Sequence, residues 1–235
     1  MLVTYLDFHL FFLAPPFLAL LLVARTRFAE RPPIEWVGVG LLVLIALAYT
    51  TPWDNYLIAR GVWEYAPDSV AMTIWLAPLE EYLFIALQPV VAGLWLYSLP
   101  PAVATATVSR RDRAIGAAAG VLVGLVGVAL LFASATFYMG AILSWAGPVL
   151  ALQWGFGWPY LWRIRGRVVL GTLVPTAYFA AADRIALETG IWSISPEFTT
   201  GLTVAGLPIE EGAFFLITNL FVVQGLLLYS WILRR

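Results

Sequence analysis

The sequence predicts an all-α membrane protein: seven transmembrane helices, arranged as two parallel three-helix repeats joined by a connecting helix. Three observations predict it. Of the 235 residues, 62% are hydrophobic and only 11% charged, with a mean hydropathy of +0.88, whereas soluble domains carry about 25% charged residues. Seven apolar segments are long enough to cross a hydrocarbon core about 30 Å thick, which takes roughly 20 helical residues. Pro78-Leu79-Glu80-Glu81 recurs as Pro208-Ile209-Glu210-Glu211, 130 positions later.

The apolar segments fall near 3–24, 35–59, 70–97, 114–135, 138–161, 167–189 and 203–232. The first lacks a short apolar region followed by a small-residue cleavage site, and Arg25 and Arg27 follow it, so it reads as a retained span. Orientation follows from arginine, because cytoplasmic loops carry the excess positive charge. Arg25, Arg27 and Arg31 follow the first span, Arg110, Arg111 and Arg113 the third, Arg163, Arg165 and Arg167 the fifth, and Arg234 and Arg235 the last. The alternate ends hold Arg60 and Arg184 with Glu64, Asp68, Glu188 and Glu197. A multi-pass protein of the cell membrane is expected, its N-terminus outside and its C-terminus cytoplasmic.

The repeat extends beyond the glutamates. Trp53-Asp54 with Gly61-Val62-Trp63 returns as Ala182-Asp183 with Gly190-Ile191-Trp192, shifted by 129, and Tyr5 with Pro15 is echoed weakly by Tyr138 with Pro148. Spans 1, 2 and 3 therefore match 5, 6 and 7. Two three-helix units joined directly would be mutually inverted; an extra span restores a common orientation, giving repeats related by an axis along the membrane normal. The expected units are residues 1–99, a loop and connecting helix over 100–136, and 137–235. The connector has no ionisable residue between Ala114 and Ala135, and its glycines at 116, 120, 124 and 127 suit close backbone approach.

Four glutamates inside membrane segments cost roughly 10 kcal/mol or more on insertion scales, so a functional role is expected of Glu80, Glu81, Glu210 and Glu211. With their segments entering from the outer face, these side chains should lie about 12–15 Å deep, and Pro78 and Pro208 should kink the helices. Successive residues are about 100° apart on a helix, so one Glu of each pair can face the bundle while its neighbour faces a flanking helix. Spacing does not say which. Asp54 and Asp183 approach on the second and sixth spans, as orienting partners or as direct participants.

Six carboxylates then share the outer half with two arginines, Arg60 and Arg184. Several acids have no cationic partner, so some of these Glu are expected to be neutral at pH 7. A neutral carboxylic acid in an apolar, aromatic cavity can act as a general acid on a water-insoluble substrate, and an ionised neighbour as base. Trp53, Trp63, Trp75, Tyr82, Phe84, Trp192, Phe214 and Phe215 lie near the acids in sequence. Interfacial anchoring explains such residues as well, but an aromatic face also stabilises a cation. Trp75, Tyr82 and Phe214 are the candidates for substrate contact.

The composition excludes several chemistries. The chain has no Cys, hence neither disulfides nor thiolate ligands. It has no Lys, which removes Schiff-base chemistry. A lone His9 cannot build a His-rich metal site, and is either a structural residue near the interface or a pocket residue. Neither a Gly-rich dinucleotide fingerprint nor an Asp-rich diphosphate motif is present.

The paired Pro-x-Glu-Glu motifs at 78–81 and 208–211 and the Trp53-Asp54-Asn55 stretch resemble the integral-membrane lycopene cyclases of archaea, actinobacteria and fungi. The likeness covers essentially the whole chain, with the two halves resembling the two subunits of the heterodimeric bacterial forms fused through the connecting helix. It implies redox-neutral conversion of the linear ends of lycopene to β-rings without flavin or metal, on a carotenoid drawn from the lipid phase. It places Glu80, Glu81, Glu210 and Glu211 in acid and base roles, with Asp54 and Asp183 supporting. Gly212 stands where the first motif has Tyr82, so the halves need not contribute equally. Cyclisation of another or longer carotenoid, or to another ring isomer, is an alternative within this class. The alternative from another class is a proton-coupled transporter, although the inner halves of the third and seventh spans offer only Gln88, Asn219 and Gln224 as a polar path. No nucleic-acid partner is expected, and the oligomeric state is open.

Overall fold

A computed structural model of the chain describes residues 4–27, 35–102 and 104–234. Arg31 and Arg235, used above for orientation, lie outside the described residues. Among the described residues, seven helices long and apolar enough to cross a membrane run in the order expected: α1 (Tyr5–Thr26), α2 (Trp36–Ala59), α3 (Leu79–Ser98), α4 (Arg110–Leu130), α5 (Phe137–Arg163), α6 (Arg165–Thr189) and α7 (Ile209–Leu233). Their starts are chemically marked. Thr4 with Asp7 and Ser109 with Asp112 form capping boxes at α1 and α4, in which hydroxyl and carboxylate satisfy N–H groups that have no partner within the helix. Within α1 the residues His9–Leu13 widen into a π-helical turn.

The connection between α2 and α3, and that between α6 and α7, differs from expectation. The segments near 70 and 203 are not helical. Each forms a short ribbon: β2 (Thr73–Ile74) pairs antiparallel with β3 (Ala77–Pro78), and β5 (Thr203–Val204) with β6 (Leu207–Pro208). These stretches are apolar enough to read as helix, but proline disfavours α geometry in the residue before it, and the turns place Trp75, Ala205 and Gly206 at positive φ. Pro78 and Pro208 therefore do not kink a helix; each is the extended residue just before one, with φ/ψ of -59/151° and -53/138°. The glutamates accordingly occupy the first helical turn of α3 and α7, where a helix N-terminus favours negative charge.

Both repeats point the same way. Strand β1 (Trp63–Tyr65) pairs antiparallel with β4 (Trp192–Ile194), and Glu64 faces Ser193, its own counterpart at a shift of 129. The flanking bonds are reciprocal: Ala66 N–H donates to the Ile191 carbonyl and Ser195 N–H to the Val62 carbonyl. Such self-complementary pairing is the mark of a two-fold axis. Likewise Tyr5 N–H donates to the Ser69 carbonyl and Tyr138 N–H to the Phe198 carbonyl. The starts of α1, α3, α5 and α7 and the ends of α2 and α6 thus meet at one end of the bundle.

The connecting helix α4 packs against α5 backbone to backbone. A Cβ at Gly120 would lie 2.1 Å from the Ala151 nitrogen, and one at Gly127 2.2 Å from the Ser144 nitrogen. Small residues therefore set this helix spacing. At the opposite end of the bundle from the ribbons, Ala92, Leu96, Tyr160, Val223, Leu226 and Trp231 form the largest apolar core.

Candidate active site

The four glutamates divide by direction. Glu80 and Glu210 are wholly buried and turn toward their own loops: Glu80 Oε1 accepts the Ala71 N–H at 2.7 Å, and Glu210 Oε1 accepts the Thr200 N–H and hydroxyl, each at 2.8 Å. Ala71 and Thr200 are counterparts, so the same staple holds the approach to each ribbon. Glu81 and Glu211 turn the other way, into a cavity of about 60 Å³ that they share with Asp54 and Asp183. The 100° between neighbours thus assigns one glutamate of each pair to the loop and the other to the cavity.

The cavity is lined by residues from both repeats. Counterparts face it in pairs: Tyr5 and Tyr138, Asp54 and Asp183, Trp63 and Trp192, Glu81 and Glu211, Phe84 and Phe214. Tyr65 and Ile194 are likewise equivalent, but only the first is polar. Glu81 Oε2 accepts two phenolic hydrogen bonds, from Tyr5 at 2.7 Å and Tyr65 at 2.9 Å. The Tyr138 hydroxyl bonds Glu211, and Trp192 Nε1–H donates to Asp183 Oδ1 at 3.0 Å. Burial, and then the Glu81 charge, push the Tyr65 phenol well above its ordinary value, so this group remains a proton-bearing donor throughout the neutral range. Asp54 Oδ2, Asp183 Oδ2 and Glu211 Oε1 are buried without a partner, as are Oε2 of Glu80 and of Glu210.

Asp54 lies within electrostatic reach of Glu81, Asp183 of Glu211, and the two glutamates of each other. Among the described residues no cation pairs with them. Arg184 pairs instead with Glu188 on its own helix, and the Arg60 guanidinium lies 4.8 Å from the centroid of the Phe137 ring. Aromatic rings close the cavity: Trp53 stacks on Phe214 with centroids 5.9 Å apart, and on Trp145 at 4.9 Å. His9 is buried against Tyr5, its Nδ1 2.9 Å from the Tyr5 carbonyl oxygen, and does not line the cavity.

Of the expected substrate-contact residues, Phe214 lines the cavity and the other two do not. Trp75 is 67% exposed at the turn between β2 and β3, where its φ is positive. Tyr82 clamps that turn: its hydroxyl donates to the Ile74 carbonyl at 2.7 Å and accepts from Asn55 Nδ2 at 3.3 Å. Asn55 Oδ1 takes the N–H groups of both Leu76 and Ala77, at 2.8 and 3.0 Å. In the second repeat Arg184 replaces Asn55 and Gly206 replaces Leu76; a Cβ at Gly206 would strike the Arg184 guanidinium at 2.6 Å. The Gly212 difference is therefore one part of a different way of bracing the second turn. Sequence reasoning missed Tyr5, Tyr65 and Tyr138 as cavity residues, although the echo of Tyr5 in Tyr138 was a signal for two of them.

Fold and site define a class: a polytopic membrane protein whose carboxyl groups converge on an aromatic cavity that, among the described residues, no cation lines. Over 233 residues, 99% of this chain and 98% of the relative, the chain is 52% identical to a protein named lycopene beta-cyclase from two strains of Halobacterium salinarum. It is also 34% identical over 204 residues, 82% of this chain and 34% of the relative, to a bifunctional lycopene cyclase/phytoene synthase of Aspergillus oryzae. The chain belongs to the lycopene beta-cyclase family. No family model and no solved structure matches it.

Proposed function

We propose that this protein cyclises the linear ends of lycopene to β-rings by proton transfer alone, in the cavity between its two repeats. The single observation that carries the reading is the meeting of Asp54–Glu81 and Asp183–Glu211 in one aromatic cavity lined, among the described residues, by no cation. Each pair brings two carboxyl groups to the same cavity, one to give a proton and one to take it up. A carboxyl proton adds to the terminal double bond of the polyene and leaves a tertiary cation. The next suitably placed double bond attacks that cation, a carbon–carbon bond closes the six-membered ring, and a carboxylate removes a ring proton to form the ring double bond. Protons and electrons balance, so no redox partner enters.

The hydrogen bonds divide the roles in the first pair. A carboxylate oxygen that accepts two phenolic O–H groups, as Glu81 Oε2 does, fits the ionised member. Asp54, with Oδ2 unpartnered, fits the proton donor. Trp53, Trp63 and Phe214 line the cavity, and the electron-rich face of an aromatic side chain can attract a cation. Glu80 and Glu210 act through the loops they hold. The reading also places the ribbons and the N-terminus outside and the arginine-rich loops in the cytoplasm.

Pigment analysis of a lycopene-producing host expressing this chain tests the reading. Monocyclic and then bicyclic β-ring products are expected, with unchanged lycopene as the refuting result.

A further inference from the structure

A second cavity, of about 310 Å³, lies between α2, α3, α5 and α7. It adjoins the carboxylate cavity, because Phe84 and Phe214 line both. On its other side it opens toward lipid, where Leu152 is 74% exposed. Its wall is mostly apolar: Tyr49, Gln88, Gln153 and Thr218 each donate to a protein acceptor, at 2.6–2.9 Å, which leaves Gln153 Oε1 as a buried acceptor without a partner. Along α7 the crevice extends from Phe214 to Gly225, eleven residues or about 16 Å at 1.5 Å per residue. That is about half the thickness of a hydrocarbon core.

The two-fold relation between the repeats makes the crevice informative, since its counterpart between α1, α3, α6 and α7 is filled. Thr50 lines the crevice; its counterpart Phe179 is only 1% exposed and packs between Phe84 and Phe215, with centroids 5.8 and 6.1 Å away. Ile85 is replaced likewise by Phe215. On that closed flank the Tyr178 hydroxyl also bonds the Phe12 carbonyl at 2.9 Å, tying α6 to α1. One flank is therefore open to lipid and the other sealed by aromatic side chains.

We propose that the open crevice is the binding channel for the unreacted body of a long linear polyene, which enters sideways from the lipid and sends one end between Phe84 and Phe214 to the carboxyl groups. This deepens the function proposed above and rests on it. Both carboxyl pairs face one cavity that the crevice adjoins from one flank, so each binding event rings one end and the remainder of the chain stays in the crevice and the bilayer. A bicyclic product then requires withdrawal and re-entry of the opposite end.

The test plugs the crevice without touching the acids. Thr50→Phe copies the residue that already seals the opposite flank. Leu152→Cys, purified folded and then coupled to a bulky apolar maleimide, plugs the mouth after folding, and the absence of other cysteines makes the reaction specific. Val121→Phe and labelled Val121→Cys, on the lipid-facing side of α4, are the controls. Two readouts are taken on protein in vesicles: the initial rate of lycopene cyclisation, and lycopene retained in a Glu81→Gln background, measured by its visible absorption. Both plugs should lower rate and retention at least tenfold while the controls leave them unchanged. Plugged protein that binds and cyclises lycopene like the wild type overturns the crevice while leaving the cyclase reading intact. Wild-type protein that cyclises no lycopene overturns both.

Discussion

Exchanging the two glutamates of one motif for glutamine, one at a time, separates a structural carboxylate from a reacting one. Glu80→Gln keeps an amide oxygen able to accept the Ala71 N–H now held at 2.7 Å. What it adds is an N–H₂ donor where Oε2 is buried without a partner, at about 1–3 kcal/mol for an unsatisfied buried group. Stability should fall by that order and turnover should stay close to wild type. Glu81→Gln keeps volume and an acceptor for Tyr5 and Tyr65 but cannot take up a proton. General acid–base groups contribute about 10²–10⁴-fold, or about 3–5 kcal/mol of barrier at 1.36 kcal/mol per decade. The assay is the initial rate of monocyclic product from lycopene in vesicles, with thermal unfolding of the same preparations alongside. The same contrast should hold between Glu210→Gln and Glu211→Gln. Equal losses at 80 and 81, or a loss confined to 80, would refute the division of roles.

Further outcomes follow from the same geometry. Asn55→Ala leaves the Leu76 and Ala77 N–H groups without their acceptor; at about 1–3 kcal/mol per unsatisfied buried group, unfolding in detergent should shift down markedly, and an unchanged midpoint would contradict the clamp. Gly120→Ala places a Cβ 2.1 Å from a backbone nitrogen of α5, and overpacking of this kind costs about 1–3 kcal/mol or more; loss of monodisperse folded protein is expected, whereas Gly40→Ala, with open space around it, should be neutral. Single cysteines at Asp68 and Glu197 should react with an impermeant reagent from outside, and those at Arg110 and Arg165 from inside. Labelling of 68 and 110 from one side would break the common orientation of the repeats.

The spans were legible because lipid imposes about 20 apolar residues on any helix that crosses it, and α6 begins within two residues of its expected start. The ribbons were not. Thr73-Ile74-Trp75-Leu76-Ala77-Pro78 is apolar enough to extend the helix that follows, and a turn with Trp75 and Leu76 at its centre carries no glycine to announce it. The better signal was proline immediately before two acids, since proline suits the start of a helix and Asp and Glu its first turn. Reading Pro78 as a kink instead put Glu80 and Glu81 deep in a helix that in fact starts beside them. Their division between loop and cavity depends on where the loops at Ala71 and Thr200 pass, which no spacing contains. Trp75 was chosen for its nearness in sequence to the acids, whereas cavity contact falls to Tyr5, Tyr65 and Tyr138, brought in by the cross-repeat ladder of β1 and β4 and by the starts of α1 and α5.

The central claim is that ring closure begins with a proton from a carboxyl group and needs no electron transfer. Purified protein given lycopene in D₂O, without added nicotinamide, flavin or metal, tests it directly by mass analysis of the product. Each ring formed should carry about one solvent-derived deuteron, somewhat fewer if a proton recycles within the site before it exchanges. Rings formed without deuterium, or cyclisation that starts only when a redox cofactor is added, would contradict the account and leave Asp54, Glu81, Asp183 and Glu211 without the role proposed for them.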